Sequence, residues 1–213
     1  MPIEIRVLTL GLAATNCYIV GDTDLNEAIL IDPVDNAPLL LKTAQDAGWT
    51  IKKIIATHGH FDHVLASKEL KNLTDAPFYI HEECVPFLER LPETGMRFTG
   101  KPFPKAAIPD EFLTTESQTI KLGAINLETL YTPGHAPGHI SLFMREQNIV
   151  FSGDCLFSGS IGRTDLPGSD YEVLMKSIFE KLMPLGDEVQ VLAGHMQPTT
   201  IGQERLTNPY LKP

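Results

Sequence analysis

The chain has 213 residues, a length that suits a single domain, 1–213, with a full-sized core. Gly and Pro number 16 each, too few for disorder, and 43% hydrophobic with 21% charged residues is ordinary globular material. The 17 basic and 27 acidic side chains leave a net charge of −10, which argues against nucleic-acid partners and anionic membrane surfaces.

Ile3 to Leu10 alternates as a strand, and Cys17 to Val20 and Ala28 to Ile31 read as the next two. The apolar stretch from Val7 to Val20 follows one base, Arg6, and is broken by Thr15 and Asn16. It therefore reads as strands rather than a signal peptide. No run approaches the roughly 18 apolar residues of a membrane span. Asp32-Pro33 stops the third strand, because proline cannot continue a ladder. Ala37 to Ala47 predicts a helix with Leu39, Leu40 and Ala44 inward, ended by Gly48. Ile51 to Ala56 is a short buried strand, the chain turns helical after His63, and Pro77 to Ile80 is another strand.

Prolines 86, 92, 102, 104 and 109 crowd the next stretch, and 91–109 reads as a long surface loop. Strands resume at Gln118 to Leu122, Ile125 to Thr132, Ile140 to Met144 and Ile149 to Ser152. Tyr171 to Met183 predicts a helix with Val173, Leu174, Ile178, Phe179 and Leu182 inward. A last strand, Val189 to Ala193, precedes a short helix from Ile201 to Thr207. The alternation predicts an α/β layered domain. Cys17, Cys84 and Cys155 include no CxxC pair, so a disulfide scaffold is not expected and reduced thiols in a cytoplasm are.

The chemistry concentrates in Thr57-His58-Gly59-His60-Phe61-Asp62-His63, which places three imidazoles and a carboxylate just past a buried strand. These donors suit zinc, iron or manganese, whereas solvated loops favour Ser, Asn, Lys and Glu. A strand-end loop can splay His58 and His60 toward one ion and Asp62 and His63 toward another. Three further candidates each follow an apolar strand and a glycine: His135, Asp154 and His195. His139, four residues after His135, either orients a ligand from behind or is a polar core position. His81 reads as structural or exposed. Cys155, beside Asp154, is a rival ligand; its other reading is a small buried hydrophobe.

This ordered set resembles the metallo-β-lactamase superfamily, and within it the hydroxyacylglutathione hydrolase (glyoxalase II) branch in its short single-domain bacterial form. The likeness runs from Thr15-Asn16-Cys17-Tyr18 and Asp32-Pro33 through the His motif, Thr132-Pro133-Gly134-His135 and Ser152-Gly153-Asp154. It continues through Gly162-Arg163-Thr164-Asp165 to Gly194-His195, Pro198-Thr199 and Asn208-Pro209. The resemblance implies an αββα four-layer sandwich, the metallo-β-lactamase fold, with two divalent metal ions at one edge: zinc first, iron or manganese as alternatives. Carried over by motif, His58, His60 and His135 would hold one ion, Asp62, His63 and His195 the other, and Asp154 would bridge.

The implied activity is hydrolysis of a small thioester, S-lactoylglutathione or similar, by metal-bound hydroxide that Asp62 helps to orient. Arg163 either meets an anionic substrate or pairs internally with Asp165 or Asp170, and Asp165 would then support the site from behind. The rivals are a mono-iron, persulfide dioxygenase-like oxidoreductase using His58, His135 and Asp154, another hydrolase of the fold such as a lactonase or β-lactamase, and a non-catalytic metal-binding module. Two-domain glyoxalase II enzymes carry a helical C-terminal domain that grips glutathione. Only 18 residues follow His195 here, so that domain is not expected. The branch's usual Gly-His-Gly-Pro becomes Gly194-His195-Met196-Gln197-Pro198, placing a flexible apolar side chain beside the last ligand. The expected partner is a small-molecule thioester, with neither nucleic acid nor membrane; the oligomeric state is left open.

Overall fold

The computed structural model describes residues 2–212. They divide into two compact units. The first comprises the residues up to Leu113 together with Lys121–Ile125; the second comprises Thr114–Ile120 and the residues from Asn126 onward.

The first unit is built on β1 (Ile3–Leu10), β2 (Thr15–Asp22), β3 (Glu27–Ile31), α1 (Ala37–Asp46), β4 (Thr50–Ile55), α2 (Phe61–Val64), α3 (Ser67–Thr74), β5 (Phe78–His81), α4 (Val85–Glu89), α5 (Leu91–Thr99) and β6 (Glu111–Leu113). Its six strands run in sequence order across one sheet, antiparallel up to β3 and parallel from there to β6. Parallel neighbours need crossover connections, which α1, α3, and then α4 with α5 supply. Every residue of β2 is buried, and Cys17, Ile19, Leu30, Leu40, Ile54 and Phe78 belong to one core. Each such large side chain contributes about 1.5–3 kcal/mol by leaving water.

Asn36 caps α1 by accepting from the Leu39 amide, and Gly48 follows its end in the left-handed region. Leu40 and Ala44 face inward as expected, but Leu39 is 37% exposed, because it is rotated about 100° from Leu40. The expected loop over 91–109 is corrected in its first half, which is the helix α5. Pro92 sits in the first helical turn, where a missing N–H costs nothing, and Pro86 does the same in α4.

The second unit holds β7 (Thr119–Leu122, shared at its end with the first), β8 (Ile125–Tyr131), β9 (Ile140–Met144), β10 (Ile149–Gly153), β11 (Leu156–Phe157), β12 (Ser160–Ile161), α6 (Tyr171–Ser177), β13 (Gln190–Ala193), β14 (Thr199–Thr200) and α7 (Ile201–Thr207). The sheet order is β14-β13-β10-β9-β8-β7, while β11 and β12 form a hairpin apart. After Ser177 the helix loosens into a π-helical segment, Ile178–Leu182. Leu174, Ile178 and Leu182 are inward at a four-residue spacing, whereas Val173 and Phe179 face solvent, against expectation. Among the described residues no helix is long and apolar enough to cross a membrane, and all three cysteines are unbridged and buried.

Candidate metal centre

Each unit gathers a cluster of imidazoles and carboxylates. In the first unit β4 ends at Ile55, and the chain enters the His motif over the carboxylate of Asp32. That residue sits in the left-handed region, φ 56°, where aspartate is tolerated. Asp32 accepts from the Thr57 amide at 2.7 Å and from its hydroxyl at 3.0 Å. The Thr57 oxygen, its proton committed to Asp32, accepts from His58 Nδ1 at 3.1 Å. The other Asp32 contact is His63 Nδ1 at 2.8 Å. Both rings are thereby fixed as Nδ1–H tautomers, with their Nε2 lone pairs available as ligands.

His58 Nε2 lies 3.0 Å from His60 Nδ1, and the His58 and His63 ring centroids are 4.1 Å apart. Asp62 enters the same cluster from the start of α2. Its Oδ2 accepts from the Thr15 hydroxyl at 2.7 Å and lies 3.6 Å from His63 Nε2. The four candidates His58, His60, Asp62 and His63 are thus brought together, all but His60 buried.

In the second unit three strand ends meet. Gly134, after β8, has φ +126°, and a Cβ there would lie 2.2 Å from the Leu174 nitrogen, so only glycine lets the loop seat on α6. The next residue, His135, donates from Nδ1 to the Arg163 carbonyl at 2.9 Å, which aims Nε2 at Asp154 Oδ2, 3.5 Å away. His195 Nε2 reaches the same oxygen at 3.3 Å. Gly162 lies beneath this cluster; a Cβ there would come 2.0 Å from the Asp154 carbonyl oxygen and 3.0 Å from the His135 Cβ. His139 accepts from the Asp154 amide at Nε2 (3.0 Å), so its Nδ1 carries the proton, 2.9 Å from the Thr132 oxygen. It steadies the backbone of Asp154 from behind.

Arg163 grips Asp165 with both ends of its guanidinium, at 2.7 and 2.8 Å, which holds the Asp165 carboxyl below the usual carboxylate range. Arg163 reaches His135 through its backbone carbonyl, while its exposed side chain pairs with Asp165. Cys155 packs with Leu174 and Ile178 in the core, and burial raises its thiol well above the ordinary value, with Asp154 adding to the effect. That is the behaviour of a small hydrophobe. His81 caps the turn after β5, accepting from the Glu83 amide, and burial lowers its pKa.

Asp32, Thr15 and Thr57 stand in the motifs quoted from the sequence, but the supporting part each plays was not read from them. For Asp32 a signal existed: like Asp154, it is an acid at the end of an apolar strand. In both clusters imidazoles are oriented through their second nitrogen by a hydroxyl, carboxylate or carbonyl, the usual arrangement behind metal-bound histidine. The donor chemistry fits divalent metal in each.

This fold and this donor set define a metal-dependent hydrolase. The family model of the Metallo-beta-lactamase superfamily matches residues 10–195, and the chain belongs to that superfamily. It is similar to the hydroxyacylglutathione hydrolase GloC of Haemophilus influenzae, 41% identical over 209 residues that cover 98% of each chain. Among solved structures it is similar to the BLEG-1 B3 metallo-beta-lactamase, with TM-score 0.90, 36% identity and coverage of 99% of this chain and 100% of that one. It is also similar to TTHA1623 in a di-iron-bound form, with TM-score 0.86, 38% identity and coverage of 97% and 100%. These likenesses establish the metallo-β-lactamase fold.

Proposed function

We propose that the chain hydrolyses small thioesters of the S-lactoylglutathione kind. The observation that carries this is the full-length relationship to a hydroxyacylglutathione hydrolase, joined to donor clusters of the composition such chemistry needs. In this reading His58, His60 and His135 hold one divalent ion, Asp62, His63 and His195 hold a second, and Asp154 lies between. Zinc is the first choice, and the di-iron form of TTHA1623 keeps iron as the alternative. A bound pair would supply a water acidified toward a pKa of about 7 and positive charge for the thioester oxygen.

The protein's own residues do the rest. Thr15 fixes the Asp62 carboxylate in one orientation, so an oxygen facing the cluster can orient the attacking water and accept its proton. Asp32 keeps the proton of His63 on Nδ1 and so keeps Nε2 a ligand. Asp62 and Asp154 offset the charge of two cations. The leaving group is a thiolate whose conjugate acid has a pKa near 8.5, so no dedicated proton donor is required. Three buried, unbridged cysteines suit a reducing compartment, and we place the protein in the cytoplasm.

The test is metal quantification of purified protein alongside S-lactoylglutathione turnover. About two ions per chain and turnover abolished by chelation are expected, with Asp154→Ala losing both metal and hydrolysis. Undiminished turnover in a metal-free preparation would refute the reading. One iron per chain, with oxygen uptake on glutathione persulfide, would instead establish the oxidoreductase.

A further inference from the structure

Residues 90–105 of the first unit form an arm, made of α5 and the turn after it, that the donor chemistry leaves unexplained. Phe98 is 63% exposed, yet its ring lies on Phe61 with centroids 5.5 Å apart and planes 34° from parallel. Phe103 stacks on the same Phe61 ring at 5.2 Å and 28°. Phe61 stands between His60 and Asp62, so the arm is seated directly on the His motif. The Thr99 hydroxyl ties the helix end to the turn, donating to the Gly95 carbonyl (2.9 Å) and accepting from the Lys101 amide (3.3 Å).

The arm's charge is as unusual as its aromatic surface. The chain has six arginines. Arg6, Arg145, Arg163 and Arg205 are each ion-paired with a carboxylate. Arg90 and Arg97, both in the arm, are exposed and take part in no ion pair among the described residues. With the exposed Lys101 and Lys105 they put four cations against one acid, Glu93, in a protein of net charge −10. Like charges gathered in one segment repel, and an anion placed among them relieves that repulsion.

We infer that this arm binds the thiol half of the substrate, and that this half is anionic: its chain lies over Phe98, and its acidic groups meet Arg97 and Lys101. The inference rests on the thioester reading above and narrows it to thioesters of charged thiols. Guanidinium binds carboxylate and phosphate alike in a forked geometry, so a peptide thiol bearing carboxylates and a carrier thiol bearing phosphates share the required chemistry.

The experiment compares S-lactoylglutathione, lactoyl-coenzyme A and the uncharged S-lactoyl-N-acetylcysteamine on the metal-loaded enzyme. The variants are the double substitution Arg97→Gln/Lys101→Gln, Phe98→Ala, and a charge-matched control, Lys176→Gln/Lys181→Gln. The arm double variant should lower the preference for charged over uncharged thioester, as a ratio of kcat/KM, by about tenfold, through KM rather than kcat. Added salt should erode the same preference in the wild type. Phe98→Ala should raise KM about threefold through lost apolar contact. The larger response identifies whether carboxylate or phosphate is the natural anion. An equal response of charged and uncharged thioesters, or the same loss in the control, would overturn the inference. If the wild type hydrolyses none of the three, the hydrolase reading falls, and calorimetry with S-methylglutathione judges the arm separately. Binding weakened in the arm variant then upholds it, whereas absent or unaltered binding ends it.

Discussion

At Asp32 one carboxylate accepts three hydrogen bonds, from the amide and hydroxyl of Thr57 and from His63 Nδ1. It sets the tautomer of His63 directly and that of His58 through Thr57, so two candidate ligands depend on one residue remote in sequence. In Asp32→Asn one oxygen becomes a donor: in one amide orientation the Thr57 hydroxyl and His63 Nδ1 both lose their acceptor, in the other the Thr57 amide does. The variant should fold, with metal affinity reduced about 10- to 100-fold in competition with a chromogenic chelator. Unchanged affinity would mean that the Thr57 and His63 geometry is held by packing instead. The His motif itself was legible because its ligands are adjacent in the chain. The part played by Asp32 was not, because it arises from a left-handed turn that brings residues 25 and 31 positions apart into contact.

Among elements, the recurring device is a strand whose end releases a ligand: β4 before His58, β8 before His135, β10 before Asp154 and β13 before His195. Strand positions followed from apolar alternation, and several boundaries fell within a residue or two of those observed. The helices showed where such reading stops. Pro92 looks like a breaker in sequence but occupies the first turn of α5, a position defined only once the helix exists. Val173 and Phe179 read as inward, yet the Leu174, Ile178 and Leu182 row takes the core and leaves them outside. The loop after β8 depends on Gly134. Gly134→Ala should cost about 2–4 kcal/mol in urea unfolding, since a Cβ would both strain a positive φ and strike the α6 backbone. A loss under about 0.5 kcal/mol would show that this loop has room to shift.

For the molecule as a whole, stability is held partly by contacts that span great sequence distance. Asp22 accepts from the Ala124 amide, 102 positions away, as well as from those of Leu25 and Asp24, and these bonds lower its pKa, Ala124 foremost. The native carboxyl therefore holds its proton less tightly than the unfolded one. Its stabilising contribution is complete above the unfolded value of about 3.9 and disappears as pH falls through the lower native value. Asp22→Asn should narrow its stability gap to wild type as the pH drops from 6 to 2 in unfolding titrations; a constant gap would dissociate Asp22 from the acid limb.

Read alone, the chain determined the class of chemistry, because metal ligands are few in kind and stand in short motifs at strand ends, and it determined the α/β alternation, because apolar periodicity is local. Tertiary structure decided which tautomers the imidazoles adopt, that Arg163 pairs with Asp165, and that the helix carrying Arg97 lays the exposed Phe98 ring on Phe61. Proton placement and ion pairing depend on which groups come within about 3 Å, and folding, not sequence spacing, sets those distances.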